Sequence, residues 1–297
     1  MKPDRQHILT VAETATTVIG AQLLKDFGNA TAEEKADGSL VTQSDKWADG
    51  ELRRRLQKEL PDHGVLSEED SHIFPPQDFC WIIDPIDGTT NFTRGVPLWG
   101  ISLGLLYKGT PVFGHVYIPT LDQRFHGFYM GSSGLDGPSG AFLDGESIHT
   151  SSDPAAGSQF FSLCARSLKV LHKPFPCKIR MLGVATYNLL TVGAGISLGA
   201  VEATPKIWDI AAVWAITQAA GAVWTPLEDE NIFPLKIGVD YGSRPFPTLL
   251  SAQQELTEQF LPLVNVIRKK SRSCHTLRDK PHQLLDSSPW KVKNYRA

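Results

Sequence analysis

Asp84 and Asp87 stand three residues apart across Pro85-Ile86, directly after the apolar run Trp81-Ile82-Ile83 and directly before Gly88-Thr89-Thr90-Asn91-Phe92. The run from Trp81 to Ile83 reads as a buried strand that delivers Asp84 to its C-terminal end. Pro85 supplies no N–H and fixes φ, so the ladder is expected to end there and the chain to turn, bringing Asp87 back beside Asp84. Two carboxylates that close would drive one pKa up unless a divalent cation sits between them. Gly88-Thr89-Thr90 then begins a helix whose free backbone N–H groups can hold an anion. Metal and phosphate would meet here. Asp-Pro-x-Asp-Gly is, taken alone, also a sound turn, because Asp, Pro and Gly are turn formers for independent reasons.

Three other segments carry candidate groups. Ser67-Glu68-Glu69 places acids at the end of a short strand, Val65-Leu66. Trp208-Asp209 opens a helix that continues through Ala211, Ala212, Ala215, Ile216 and Ala219 and stops at Gly221. Ser44 reads as an N-cap with Asp45 in the first turn, ahead of Trp47, Leu52, Leu56 and Leu60 on one face and Pro61 beyond. Lys35 lies in a polar, glycine-containing loop that runs to Ser44. By residue type alone, Asp45 and Asp209 are satisfied by helix-start electrostatics, Glu68 and Glu69 by a solvated face, and Lys35 by a surface loop.

Taken together and in order, the segments Lys35-Ala36-Asp37-Gly38-Ser39-Leu40-Val41-Thr42-Gln43-Ser44-Asp45, Ser67-Glu68-Glu69, Trp81 to Phe92 and Trp208-Asp209-Ile210-Ala211-Ala212 resemble the inositol monophosphatase family of magnesium-dependent, lithium-sensitive phosphatases. The resemblance runs from about Ile8 to Val266. Phosphatases of the haloacid-dehalogenase type also end an apolar strand in acids, but two residues apart, and the spacing of three argues against them. The resemblance implies an αβαβα sandwich with a mostly antiparallel N-terminal sheet, a smaller C-terminal α/β sheet, and a site at their junction. It implies Mg²⁺ held by Glu68, Asp84, the main-chain carbonyl of Ile86, Asp87 and Asp209. A water would be activated by Glu68 and Thr89, with Asp45 orienting the Thr89 hydroxyl, and would attack phosphorus directly with no phosphoenzyme. Substrate contacts would come from Asp87, Gly88, Thr89, Gly183, Ala185 and Glu202, with Lys35 and Glu69 as further candidates. Inositol monophosphate is the leading substrate. Histidinol phosphate, sugar bisphosphates and phosphoadenosine phosphate are alternatives on the same scaffold, and a regulatory binding protein is the alternative of another class. A homodimer is also implied.

Length and composition are those of an ordinary soluble protein, one large domain or two intimate halves. The 297 residues are 41% hydrophobic, enough for a substantial core, and hold no run long enough to cross a membrane. The N-terminus leads into an amphipathic helix over Ile8 to Leu23 rather than a signal peptide, so a cytoplasmic location is expected. Cys80, Cys164, Cys177 and Cys274 lie far apart and read as reduced packing residues. From Arg268 to Ala297 there are nine Lys/Arg and two Asp/Glu, a net +7, which leaves (29 − 9) − (32 − 2) = −10 for the rest. An acidic body suits a cation site and does not suggest a nucleic-acid enzyme.

Residues 1–150 read as an N-terminal α+β half, 151–267 as a C-terminal α/β half, and 268–297 as a basic tail dispensable for catalysis. In the first half, Ile101 to Leu106, Pro111 to Ile118 and Arg124 to Phe128 read as antiparallel strands, with Lys108-Gly109 turning the first hairpin and a glycine-rich stretch from Gly131 to Gly145. In the second, Phe160 to Ala165 reads as a strand and Tyr187 to Leu198 as a helix. Ala222 to Thr225 and Thr248 to Ser251 are further strands, and Gln253 to Arg268 is a last helix. Pro234, Pro245 and Pro247 make the segment before that last strand a stiff excursion.

Overall fold

The computed structural model describes residues 4–264 apart from positions 37, 132, 172–173 and 229–230. The basic tail, Cys274 and the expected end of the last helix lie outside these residues. The first half contains α1 (Arg5–Asp26), β1 (Ala32–Glu34), β2 (Leu40–Thr42), α2 (Gln43–Glu59), β3 (Gly64–Ser67), β4 (Phe79–Asp87) and α3 (Thr89–Arg94). It continues through β5 (Gly100–Tyr107), β6 (Thr110–Ile118), β7 (Gln123–Phe128), β8 (Gly140–Leu143) and β9 (Glu146–Ser147). The second half begins with β10 (Phe160–Leu163), a 3₁₀ turn (Ala165–Val170), β11 (Lys178–Arg180) and α4 (Ala185–Gly193). It ends with β12 (Gly199–Glu202), α5 (Ile207–Ala219), β13 (Val223–Pro226), β14 (Thr248–Ser251) and α6 (Gln254–Val264).

Strands β3 to β9 form a seven-stranded sheet in chain order, antiparallel except for the parallel pair β3 and β4. The second sheet has the order β11-β10-β12-β14-β13, with β10 parallel to both neighbours. Helices α1 and α2 cover one face of the large sheet, α4 and α5 fill the space between the sheets, and α6 packs on β12, β13 and β14. The five layers are αβαβα. Because both faces of the large sheet are covered, β4 is apolar throughout: Trp81 and Ile83 join the core under α1 and α2, while Cys80 and Ile82 join the core facing α5.

One row of residues sets the approach of α5. Gly104, Gly114 and Gly127 are cross-strand neighbours on β5, β6 and β7. A Cβ on any of them would come within 2.0–2.9 Å of the backbone of Ala212 or Ile216. Lacking side chains, they form a groove into which the small-residue face of α5 settles, and this brings Asp209 at the start of α5 over the C-terminal end of β4.

Several boundaries differ from those expected. Thr42, not Ser44, caps α2: its hydroxyl accepts from the Ser44 and Asp45 N–H groups while Asp45 reaches back to the Thr42 N–H, a reciprocal capping box. Trp47 is 41% exposed and does not share the buried face of Leu52 and Leu56. Helix α4 starts at Ala185 and stops at Gly193, and β10 ends at Leu163. The strand holding Asp84 does not end at Pro85 but runs on to Asp87.

A buried histidine in this fold yields a pH prediction. His115 on β6 bonds Thr16 Oγ1 of α1 at 2.9 Å, and its Nδ1 has no partner. Burial, with His126 and Arg124 nearby, pushes its pKa down to about 3 from 6.5. Below about pH 6.5 the unfolded chain takes up a proton that the folded chain refuses, so stability falls as pH falls, by up to ~1.4 kcal/mol per unit. His115→Gln is expected to flatten the melting temperature between pH 6.5 and about 4 relative to the parent. An equally steep profile in both proteins would remove His115 as the cause.

Candidate active site

The register between β4 and β5 slips between Asp84, which faces Ser102, and Asp87, which faces Gly100. One extra residue on β4 makes a bulge, and Pro85, which has no N–H to offer a ladder, falls within it. A regular strand would point residues three apart to opposite faces; the bulge restores them to one. Asp84 and Asp87 therefore converge, and Asp209 joins them from α5, with a carboxylate oxygen of each within 4.8 Å of the others. The expected outcome is reached by a bulge instead of a turn.

Each aspartate is oriented by donors that leave it acceptor capacity. Asp84 Oδ1 accepts from Ile86 N at 3.1 Å, and Asp209 Oδ2 accepts from Lys206 N at 2.6 Å. Asp87 Oδ2 accepts from Thr186 N and Thr186 Oγ1 at 2.7 and 2.6 Å, and Oδ1 from Ala185 N at 3.3 Å. Asp87 thus ties β4 to the start of α4. Gly88 follows in a left-handed conformation with φ 90°, and a Cβ there would lie 2.8 Å from Val184 Cγ2, so only glycine lets the 183–185 segment close on the bulge. Asn91 completes this seam by donating to Leu98 O and Leu182 O at 2.8 and 2.9 Å.

Thr89 Oγ1 lies 3.2 Å from Asp45 Oδ1 and 3.0 Å from the Ile86 carbonyl oxygen, and makes no cap bond to its own helix. Asp45 is fully buried, with Oδ2 accepting from Thr42 N and Thr42 Oγ1 at 2.7 and 2.6 Å. Burial pushes its pKa up to about 6 against the pull of those hydrogen bonds. Lys35 reaches Glu68 Oε1 at 2.9 Å and Glu69 Oε1 at 2.5 Å. Although burial opposes its charge, these carboxylates hold the Lys35 ammonium above its ordinary range. Desolvation of half-buried Glu68, with Glu69 and Asp45 nearby and against the pull of Lys35, pushes its pKa up to about 7. The Glu68 loop is fixed by His72, whose Nε2 donates to Glu68 O at 2.9 Å and whose ring stacks on Trp208. Tyr241 N of the proline-rich excursion donates to His72 O at 2.9 Å, so that excursion buttresses the site.

Glu68, Asp84, Ile86, Asp87, Gly88, Thr89, Gly183, Ala185, Glu202 and Asp209 all line one cleft of about 420 Å³ between the two sheets. Lys35, Asp45 and Glu69 stand behind it. Glu202 is 2% exposed, with Oε1 accepting from Asn188 Nδ2 at 2.7 Å. Cys164 also lines the cleft, so it is not a core cysteine like Cys80 and Cys177. Sequence reasoning gave no role to Thr42, Thr186 or Asn188, although Thr42 lies inside the noted segment Lys35 to Asp45 and Thr186 next to the noted Gly183-Val184-Ala185.

Burial is the first cause that raises the Asp84, Asp87 and Asp209 pKa values, and on Asp84 it is joined by the charges of Glu68, Asp87, Asp209 and Asp45. Three desolvated, mutually repelling carboxylates with a carbonyl beside them fit a hard, oxygen-preferring divalent cation, which would favour all three ionised forms at once. Residues 4–266 match the Inositol monophosphatase family. The chain belongs to that family. Its relatives include the fructose-1,6-bisphosphatase/inositol-1-monophosphatase of Aquifex aeolicus, 32% identical over 73% of this chain and 84% of that one. The Nus factor SuhB of Salmonella typhimurium is 29% identical over 73% of this chain and 84% of its own length. Among solved structures, an IMPase of Thermotoga maritima superposes with a TM-score of 0.74 at 27% identity, over 88% of this chain and 98% of that one. The family's phosphatases act on small phosphorylated substrates and depend on metal. No helix among the described residues is long and apolar enough to cross a membrane.

Proposed function

We propose that this family member hydrolyses small phosphate monoesters with Mg²⁺ as cofactor, inositol monophosphate being the first substrate to test. The observation that carries the reading is the convergence of Asp84, Asp87 and Asp209 beside the hydrogen-bonded pair Thr89 and Asp45. The half spanning residues 1–150 would supply Glu68, Asp84, the Ile86 carbonyl and Asp87 as ligands, and the half spanning 151–267 would supply Asp209 with Gly183, Ala185 and Glu202 as the substrate face. Mg²⁺, when bound, supplies charge neutralisation at phosphate oxygens and a more acidic water. The single Thr89 proton is directed to Asp45 or to the Ile86 carbonyl, so the oxygen's lone pairs are left to accept from the attacking water. Glu68 faces the same cleft and takes the proton that the water gives up. Glu202, held by Asn188, accepts hydroxyl hydrogens of a polyol. Lithium sensitivity and a homodimer belong to the same proposal.

Purified protein is expected to release phosphate from inositol monophosphate with Mg²⁺, to stop in EDTA, and to recover when Mg²⁺ is restored, because no cationic side chain substitutes for the metal among the leading influences on Asp84. Release that EDTA leaves untouched would sink the mechanism. The relation to a protein named Nus factor SuhB favours a second reading, a regulatory binding role. Folded, Mg²⁺-loaded protein that releases no phosphate from a panel of polyol, sugar and nucleotide phosphates would support that reading instead.

A further inference from the structure

Asp84, Asp87 and Asp209 bring carboxylate oxygens within 4.8 Å of one another, and Glu68 is not part of that group. Its carboxylate is turned to Lys35 at 2.9 Å. The reach of the Glu68 side chain is set by its main chain, which is held on two sides. Its N–H donates to Ile83 O of β4 at 3.1 Å, one residue before Asp84, and its carbonyl accepts from His72 Nε2 at 2.9 Å. The first bond ties Glu68 to the strand of Asp84 and Asp87. The second ties it to a ring that stacks on Trp208 with centroids 5.3 Å apart, next to Asp209. His72 thus links Glu68 to the start of α5, and it stands outside the lining of the cleft.

The excursion between β13 and β14 holds this link in place. Residues 72–74 and 238–241 form a short antiparallel seam: Tyr241 N donates to His72 O, Phe74 N to Val239 O and Gly238 N to Phe74 O, each at 2.9 Å, with Ile73 bridging Asp240. Two more bonds fasten the excursion to the start of α5, Lys206 Nζ to Gly242 O at 2.8 Å and Phe246 N to Pro205 O at 2.7 Å. Gly242 meets the imidazole itself. A Cβ there would lie 2.3 Å from His72 Nδ1 and 2.7 Å from its Cγ. Gly242 is not among the glycines of positive φ, so its missing side chain serves to admit the ring and not to relieve the backbone.

We infer that His72 is a positioning residue for the metal site: lodged against Trp208 and Gly242, it fixes Glu68 relative to Asp209 and so sets the affinity for Mg²⁺. The inference rests on the reading of the cleft as a Mg²⁺-dependent phosphatase site. Groups that orient a metal's ligands without touching the metal typically contribute roughly 10–100-fold in metal affinity or activity. Because His72 does not line the cleft, its loss should raise the Mg²⁺ requirement and leave KM for the ester near the parent's.

The test titrates metal-free parent and variants with Mg²⁺ alone by calorimetry, and records melting temperatures in EDTA and phosphate release against Mg²⁺ concentration. His72→Phe keeps an aromatic ring for Trp208 but has no N–H for the Glu68 carbonyl. It should weaken Mg²⁺ binding by about tenfold or more, with the melting temperature in EDTA little changed. His72→Gln, whose amide supplies an N–H, should recover part of that affinity. Gly242→Ala crowds the ring and should weaken binding as well. In a His72→Ala background, where no ring is left to displace, Gly242→Ala should weaken it no further. Affinities in His72→Phe and Gly242→Ala equal to the parent's, with only melting temperatures lowered, would make His72 a structural residue and overturn the inference while the phosphatase reading stands. A parent that binds no Mg²⁺ and releases no phosphate removes that reading and this inference with it.

Discussion

Asp84→Asn is expected to lower kcat/KM by ~10³-fold or more, a loss of ~4 kcal/mol of transition-state stabilisation, while raising the melting temperature of the metal-free protein at neutral pH. The substitution is sterically mild and keeps Oδ1, which accepts the Ile86 N–H. It removes one charge from a fully buried position whose pKa is raised well above 3.8 by burial first and then by the surrounding carboxylates. A carboxyl whose folded pKa is raised destabilises the fold above its unfolded pKa, where the unfolded chain ionises freely and the folded one resists. The gain from Asn should therefore be present at pH 7 and fade as pH falls toward about 4, where the parent carboxyl is protonated in both states. With Mg²⁺ the order should reverse, since the cation stabilises only the charged site. Activity assays together with melting curves in EDTA and in Mg²⁺ check all three statements. Preserved turnover, or a variant less stable than the parent in EDTA at pH 7, would mean that Asp84 is structural.

Thr89→Ala is expected to lower kcat by ~10²-fold or more with KM little changed, because the hydroxyl orients the attacking water and so acts mainly in the transition state. A rival account would make Thr89 a helix-start residue whose loss costs only stability. The geometry already weakens that account: the cap position is Gly88, and the Thr89 hydroxyl bonds Asp45 and the Ile86 carbonyl, not the N–H groups of α3. The stability cost should be that of one lost hydrogen bond, ~1 kcal/mol, and Thr89→Ser, which keeps the hydroxyl, should recover much of the turnover. Measuring kcat and melting temperature on the same preparations separates the accounts. A fall in melting temperature with kcat intact would make Thr89 a structural residue only.

What could be read before folding was whatever is written in local order. Strand β4, the hairpins through β7 and helices α1 and α5 follow from runs and periods of apolar residues, which depend only on near neighbours along the chain. The donor chemistry of the site was legible in the same way, since Glu68, Asp84, Asp87 and Asp209 each lie at the C-terminal end of an apolar strand or in the first turn of a helix, and so was the pairing of Asp45 with Thr89 once four segments in order suggested a family. The misplaced cap at Ser44 shows the limit: Thr42 wins because Asp45, three residues on, can return its bond.

The rest was decided by contacts between segments far apart in sequence. Whether Asp84 and Asp87 share a face depended on register with β5, and a proline that locally predicts a stop is instead absorbed as a bulge. Asp209 joins them only because three glycines from three strands align into a groove for α5. Thr186 holds Asp87, Lys35 reaches both Glu68 and Glu69, and Arg166 is set by Thr204, all across long loops of chain. The sequence by itself determined which elements form and which donors they carry. Tertiary structure alone determined which donors meet, because hydrogen-bond and charge partners are chosen by distance in space, and the local rules that shape a strand or a helix carry no information about that distance.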